Sequence, residues 1–261
     1  GLAVGFTCFA LSALWIRYEM TYDNFHEGAD RIYLVRAHYA NEPGTSKFTP
    51  YPLMKYLQDK MPEIEAVTAF TAHHVKFRME DTEQEIGMIA ADSVFMNFFD
   101  IQLLKGTVNF LKCDGQEVAI TKEFAKRLFS KEEDALGKEV EVGRRVCKIG
   151  AIVSGWSNHS NIPYNILAPA RHSPRWGSSN EQLFIRVRER TDIDVFRTKM
   201  STIRINDIEK ESELSDLLIT RMSALRYSDY VDKADVVISF SYIFYNYSIL
   251  LESFLLYINI L

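Results

Sequence analysis

The stretch 19-EMTYDNFHEGADRIYLVR-36 decides how this chain is read. Behind it lies an apolar run, 1-GLAVGFTCFALSALWI-16, and ahead of it the alternating RIYLV of a strand. Between the two stands a cluster of aromatic, acidic and imidazole side chains: Tyr22, Asp23, Phe25 and His26. The 16 residues of the apolar run make a helix about 24 Å long, whereas a bilayer core takes about 20 residues to cross. The run is about one turn short, and the chain begins with Gly rather than Met. It therefore reads as the end of a first transmembrane helix over residues 1–18. A buried core helix is a second reading. A secretory signal peptide is a third, but it wants a small-x-small cleavage site, and bulky 15-WIRYEM-20 follows instead.

The other end has the same character. In 236-VVISFSYIFYNYSILLESFLLYINIL-261 a single charge, Glu252, interrupts the apolar sequence. Tyr242, Tyr245 and Tyr247 lie toward its start, where an interfacial aromatic belt belongs. Asn246, Glu252 and Asn259 are costly in lipid and are expected to face other helices. Residues 236–261 read as the start of a second span. Residues 19–235 then form one loop domain on one side of the membrane, and residues 17–235 alone are expected to fold as a soluble unit.

Composition narrows the function classes. The chain has 261 residues and a formal charge of -5, without a basic tract to neutralise phosphates, which argues against nucleic-acid binding. A mean hydropathy of -0.11 hides the concentration of apolar residues at the ends. Cys8, Cys113 and Cys147 form neither CxxC nor a zinc pattern. Cys113 and Cys147 can pair in an oxidising compartment or remain two buried thiols.

The middle reads as α+β. Strands are expected at 31–40, 65–79, 83–92, 161–170, 182–189 and 216–227, and a hairpin at 137–154 turning at Gly143-Arg144. Helical spacing runs through 49–64 to Pro62. A helix capped by Asp92 is expected to run through Phe95, Phe98 and Phe99 to Gly106. Thr121 caps another helix, and a capped helix over 191–205 places Val195, Phe196, Met200 and Ile203 on one face.

Catalytic signals are weak. GxxxxGK[ST], GxSxG, HExxH and GxGxxG are all lacking. His73 and His74 are adjacent, so on a strand they face opposite sides and cannot clamp one metal. His159 and His172 lie in polar loops and are expected to be solvated. The run 131-KEED-134 reads as a solvated turn. No cofactor or metal is expected.

Several segments, in order, resemble one family. The pattern 22-YDNFHEGADRIYLVR-36 after an apolar helix is similar to the start of the extracytoplasmic domain in MacB/FtsX-like ABC transporter permeases, the Bacteroidetes-type paralogues above all. So are 89-IAADSVFMNFFDIQLLKG-106, 118-VAITKEFAKRLFSKEEDALGKEVEV-142 and 149-IGAIVSGWSNHSNIPYNILAP-169. Two departures stand out: Ser157-Asn158 where a proline is commoner, and Leu34 where an arginine often stands.

The resemblance implies a two-lobed extracytoplasmic domain. A membrane-proximal lobe would span residues 30–106 and 182–230, with a mostly-β lobe over 116–170 inserted. It implies a non-catalytic permease subunit in the bacterial inner membrane, its main domain in the periplasm, served by a separate cytoplasmic ABC ATPase. Membrane lipid, a second copy or a paired permease, and a periplasmic or outer-membrane protein are the further partners implied. A span that passes motion to a domain needs a stiff joint. Tyr18 and Tyr22 suit the interface. Asp23 or Asn24 turns the chain, Phe25 and His26 pack against the first strand, and Asp30-Arg31 closes the turn. A plain surface turn with a buried Phe is the competing reading. At the level of function, the sensor domain of a two-span receptor such as a histidine kinase has the same outline. A soluble enzyme is poorly supported, since no nucleophile, base and orienter come together.

Overall fold

The computed structural model describes residues 2–225 apart from 20, 40–43, 81, 113–115, 157–158 and 206–213. The expected second span and Cys113 lie outside the described residues. The chain opens with α1 (Leu2–Glu19), followed by a 3-10 turn at Ala29–Arg31, β1 (Ile32–Tyr39), β2 (Thr45–Ser46), β3 (Thr49–Pro50) and α2 (Pro52–Lys60). Next come β4 (Ile64–Met79), β5 (Thr82–Ala91), α3 (Ser93–Phe98), β6 (Leu103–Gly106), β7 (Glu117–Thr121) and α4 (Lys122–Leu128). β8 (Glu139–Val142), β9 (Arg145–Val153), β10 (Ile166–Pro169), β11 (Ser179–Val187), α5 (Ile193–Ser201) and β12 (Leu214–Arg221) complete the α+β fold.

α1 is apolar on its exposed sides. Phe6 is 70% exposed, and Phe9, Leu11 and Leu14 nearly as much. Such a surface is not one that water favours. Among the described residues, no helix is long and apolar enough to cross a membrane; the 18 residues of α1 end in Arg17 and Glu19.

The strands hydrogen-bond in the order β12-β1-β11-β4-β5-β10-β7-β9-β6. β4 is the shared member. Its 16 residues extend about 53 Å. Its first part pairs antiparallel with β11, from Ile64↔Val187 to Phe70↔Gln182. Its second part pairs with β5, from Thr71↔Ala90 to Met79↔Thr82, and reaches β8 at Phe77↔Val142. One continuous strand thus carries an inner half-sheet (β12, β1, β11) and an outer one (β5 to β10).

Both faces of the inner half are covered, which is why β1 is a run of buried residues rather than an alternating one. Tyr33 and Val35 meet Leu53 and Leu57 of α2 and Phe196 and Met200 of α5 on one face. Ile32 and Leu34 meet Phe70, Phe184 and the α3 residues Phe95 and Phe98 on the other. The outer half packs Phe77, Ile120, Val140 and Ile149 around Phe124 of α4. Cys147 lies in that core as a free thiol, its Sγ 3.8 Å from Val140 O.

The caps form at Asp92 and Thr121 as expected, and the capped helix over 191–205 takes Asp192 as its cap. Asp92, Thr121 and Asp192 accept from Phe95 N, Phe124 N and Val195 N at 3.0, 3.3 and 3.1 Å. The length of α3 is a correction. It stops at Phe98, and Asp100 turns the chain out of the helix at φ +52°. Leu103–Gly106 is not helix but strand, paired with β9. Gly106, at φ +85°, lies so close to β9 that a Cβ there would sit 2.2 Å from Gly150 O. The strand expected over 161–170 is confined to Ile166–Pro169. Val195 is 64% exposed, so the buried face of α5 consists of Phe196 and Met200, with Ile203 just beyond. β5 hydrogen-bonds to β10 and β6 to β9, both in the outer half. A strand's periodicity shows which faces are buried but not which neighbour it takes.

Candidate functional site

The chain leaves α1 through a tight turn in which Thr21 N and Thr21 Oγ1 both donate to Tyr18 O, at 3.2 and 2.9 Å. Asp23 then takes a left-handed conformation, φ +59°, which Asp tolerates better than most residues. Its carboxylate is fully buried. Asp23 N donates to His159 O at 3.1 Å. Asp23 Oδ2 accepts from Asn161 N at 3.1 Å and Asn161 Nδ2 at 2.6 Å. The same Asn161 Nδ2 lies 3.5 Å from Met222 O, in the 3-10 turn Met222–Ala224 that follows β12. One Asp–Asn pair therefore ties together the exit of α1, the loop between β9 and β10, and the segment leaving the last strand.

Rings pack around this node. The His159 imidazole lies 4.1 Å from the Tyr18 ring and 3.8 Å from the Tyr22 ring, and its Nε2 is 3.1 Å from Thr21 Oγ1. His26 is buried against Phe25, Phe99 and Trp156 at ring separations of 4.2, 5.0 and 4.9 Å. Trp156 Nε1 donates to Ile162 O at 2.9 Å, holding the far wall. Arg31, just before β1, donates to Glu65 at 2.5 Å and to Val187 O at 2.9 Å, joining β1 to β4 and β11.

Burial sets the electrostatics. It pushes the Asp23 carboxyl above its ordinary range, against the hydrogen bonds from Ser160 and Asn161. Burial, aided by the nearby Arg186, lowers His26 to about 4, so its ring is neutral at pH 7. The cluster offers packing and hydrogen bonds, not an activated nucleophile. Among the described residues, no three or more His, Cys, Asp or Glu are placed to hold a metal.

Of the six residues singled out from the sequence, Tyr22, Asp23 and His26 are buried, Arg31 is half-buried, and Phe25 and Asp30 are exposed. His26 packs on Phe99 and Trp156 rather than on β1, because the turn folds toward the β9–β10 loop. The partners His159, Asn161, Trp156 and Met222 are the residues the sequence reading missed. The dense polar run between Trp156 and Pro163 is the one local signal that could have marked them. His159 is not a solvated loop residue, and neither is His172, whose side chain is only 12% exposed. His73 and His74 lie exposed on β4.

The model of the MacB-like periplasmic core domain matches residues 1–203. No curated protein sequence matches. A solved domain described as belonging to a permease protein of Porphyromonas gingivalis is 20% identical, with a TM-score of 0.60 over 75% of this chain and 92% of that one. The extracellular domain of YknZ, a noncanonic ABC-type transporter from Gram-positive bacteria, is 15% identical, with a TM-score of 0.52 over 72% of this chain and 99% of that one. The periplasmic region of MacB from Actinobacillus actinomycetemcomitans is 12% identical, with a TM-score of 0.53 over 79% of this chain and 95% of that one.

Proposed function

This chain belongs to the family of MacB-like periplasmic core domains, and from that membership we propose that it is the extracytoplasmic part of an ABC transporter permease that couples ATP-driven movement of membrane helices to movement outside the membrane. Residues 1–18 are the end of the first span, 19–235 the domain and 236–261 the start of the second span. ATP is hydrolysed by a separate cytoplasmic ABC ATPase, and the domain itself does no chemistry. The permease sits in the bacterial inner membrane among lipid, its domain in the periplasm, working as a pair with a second copy or a related permease. A periplasmic or outer-membrane protein receives the motion or the cargo.

The observation that carries the reading is the Asp23–Asn161 node. A displacement of α1 reaches the β9–β10 loop through two hydrogen bonds of 2.6 and 3.1 Å, and Met222 O at the end of β12 shares Asn161. A buried, hydrogen-bonded link of this kind moves as a unit, whereas a solvated turn would absorb the motion. A sensor domain would share the helix-domain-helix outline; the family match favours the permease.

The test uses the complete permease with its ATPase in lipid nanodiscs, spin-labelled at the end of α1 and on β8. We expect ATP to change the label separation in the wild type. In Asp23→Ala the change should shrink while ATP hydrolysis continues. An unchanged separation in the wild type, or full movement in Asp23→Ala, would sink the coupling role.

A further inference from the structure

We infer that His172 is a clamp that fastens the outer half of the sheet to the inner half. His172 lies in the crossover 170–178, which leads from β10 in the outer half to β11 in the inner half. Its ring bridges three separate segments. Nδ1 is 3.2 Å from Glu181 Oε1 on β11, and Nε2 is 3.6 Å from Asp92 Oδ2 at the cap between β5 and α3. The ring face stacks on Tyr51, just ahead of α2, at 3.9 Å and 6°. Asp92, Glu181 and Tyr51 are the titratable groups that face it. Glu181 is itself 4% exposed, and Thr49 Oγ1 donates to its backbone oxygen, so the inner anchor is fixed.

The chemistry calls for the charged ring. An imidazolium donates from Nδ1 to Glu181 and faces Asp92 through Nε2 as an ion pair, so it meets a carboxylate on each side. A neutral ring donates from one nitrogen and turns a lone pair toward the other carboxylate, leaving an uncompensated charge in a largely dry site. Burial alone would lower the His172 pKa, but the hydrogen bonds and charges of Asp92 and Glu181 raise it to about 9. The raised value gives the sign. The clamp is fully engaged below pH 6.5, the ordinary value, and is lost as pH rises through about 9. Its role in transport rests on the coupling reading, since a joint moves the outer half only if the halves are fastened. Its existence does not, so the test reads the fold and not transport.

Arg171 and Arg175 flank His172 on the exposed side of the crossover and supply tryptic sites. The full chain in detergent micelles is nicked with trypsin between pH 7 and 10, each rate normalised to a free peptide substrate. Nicking of the wild type should be slow at pH 7 and rise about tenfold through pH 9. His172→Gln should be nicked at the faster rate throughout, and Glu181→Gln should move the rise to lower pH. The wild-type His172 ring, followed by NMR, should titrate near 9, a readout that needs no variant to fold. A ring that titrates at 6.5 or below, or a His172→Gln crossover cut at the wild-type rate at pH 7, overturns the clamp.

Discussion

His26 and His172 are both largely removed from water, yet they sit at opposite ends of the histidine range, about 4 and about 9. The difference is their company. His26 is enclosed by Phe25, Phe99 and Trp156, with Arg186 the nearby charge, so burial wins and the ring stays neutral. His172, half-buried, lies between two carboxylates, and their attraction outweighs the cost of its burial. Burial therefore says how much a titratable group can be perturbed, and its partners say in which direction. The first site is a packed turn where α1 meets the β9–β10 loop. The second is an ionic fastening within the domain.

The Asp23 carboxylate is the fully buried polar group of this turn, and removing it should have the largest effect. Asp23→Ala leaves the half-buried Asn161 donors without this acceptor and puts Ala at φ +59°. It should cost about 3 kcal/mol in denaturant unfolding followed by circular dichroism. Asp23→Asn keeps an acceptor oxygen and tolerates the left-handed conformation, and should cost about 1 kcal/mol or less. Equal losses for the two would show that the joint is not held by this hydrogen-bond pair.

His172→Gln should cost about 2 kcal/mol at pH 7, because two carboxylates lose their shared cation. The same variant should flatten the alkaline side of the stability profile. His172 contributes stability that is complete below pH 6.5 and disappears as pH rises through about 9. His26 acts with the opposite sense. Its folded pKa is depressed, so the unfolded chain binds its proton first, and stability falls as pH drops from 6.5 toward 4. Profiles of melting temperature against pH for His172→Gln and His26→Phe should lose opposite limbs. Loss of the same limb in both would remove the contrast.

The smallest effect is expected at His26 under neutral conditions. Its Nε2 is buried without a hydrogen-bond partner, so at pH 7 His26→Phe should change stability by about 1 kcal/mol or less. A loss of several kcal/mol would mean that the imidazole makes a polar contact the packing hides.

Local chemistry was readable from the sequence, and distant pairing was not. The apolar run of α1, the caps at Asp92 and Thr121, and the Gly143-Arg144 hairpin turn each depend on residues within a few positions. The strand character of Leu103–Gly106 depends on β9, some 50 residues on, so helical spacing through Phe98 and Phe99 carried the expectation too far. The candidate site divides in the same way. Its first strand of residues, from Tyr22 to Arg31, stood out because an apolar helix ends there. His159 and Asn161 gave no such sign, for their burial comes from Asp23, Tyr18 and Tyr22, well over a hundred residues earlier. His172 looked solvated for the same reason: Asp92 and Tyr51 are remote in sequence.

The position of β1 governs the order in which the molecule can be assembled. β1 is among the first strands of the chain, yet both of its long-strand neighbours come late, as Ile32↔Arg186 and Tyr33↔Arg221 show. Such pairings close loops of most of the chain and make for slow folding. As the polypeptide is made from its N-terminus, Ile32–Tyr39 emerges with its partners still unsynthesised, a greasy strand with open edges on both sides. The outer half, whose β7, β9 and β10 pair within about 50 residues of one another, can form while β1 is still waiting. The pairing order therefore favours assembly of the outer half first, with the β12-β1-β11 half-sheet the last to close.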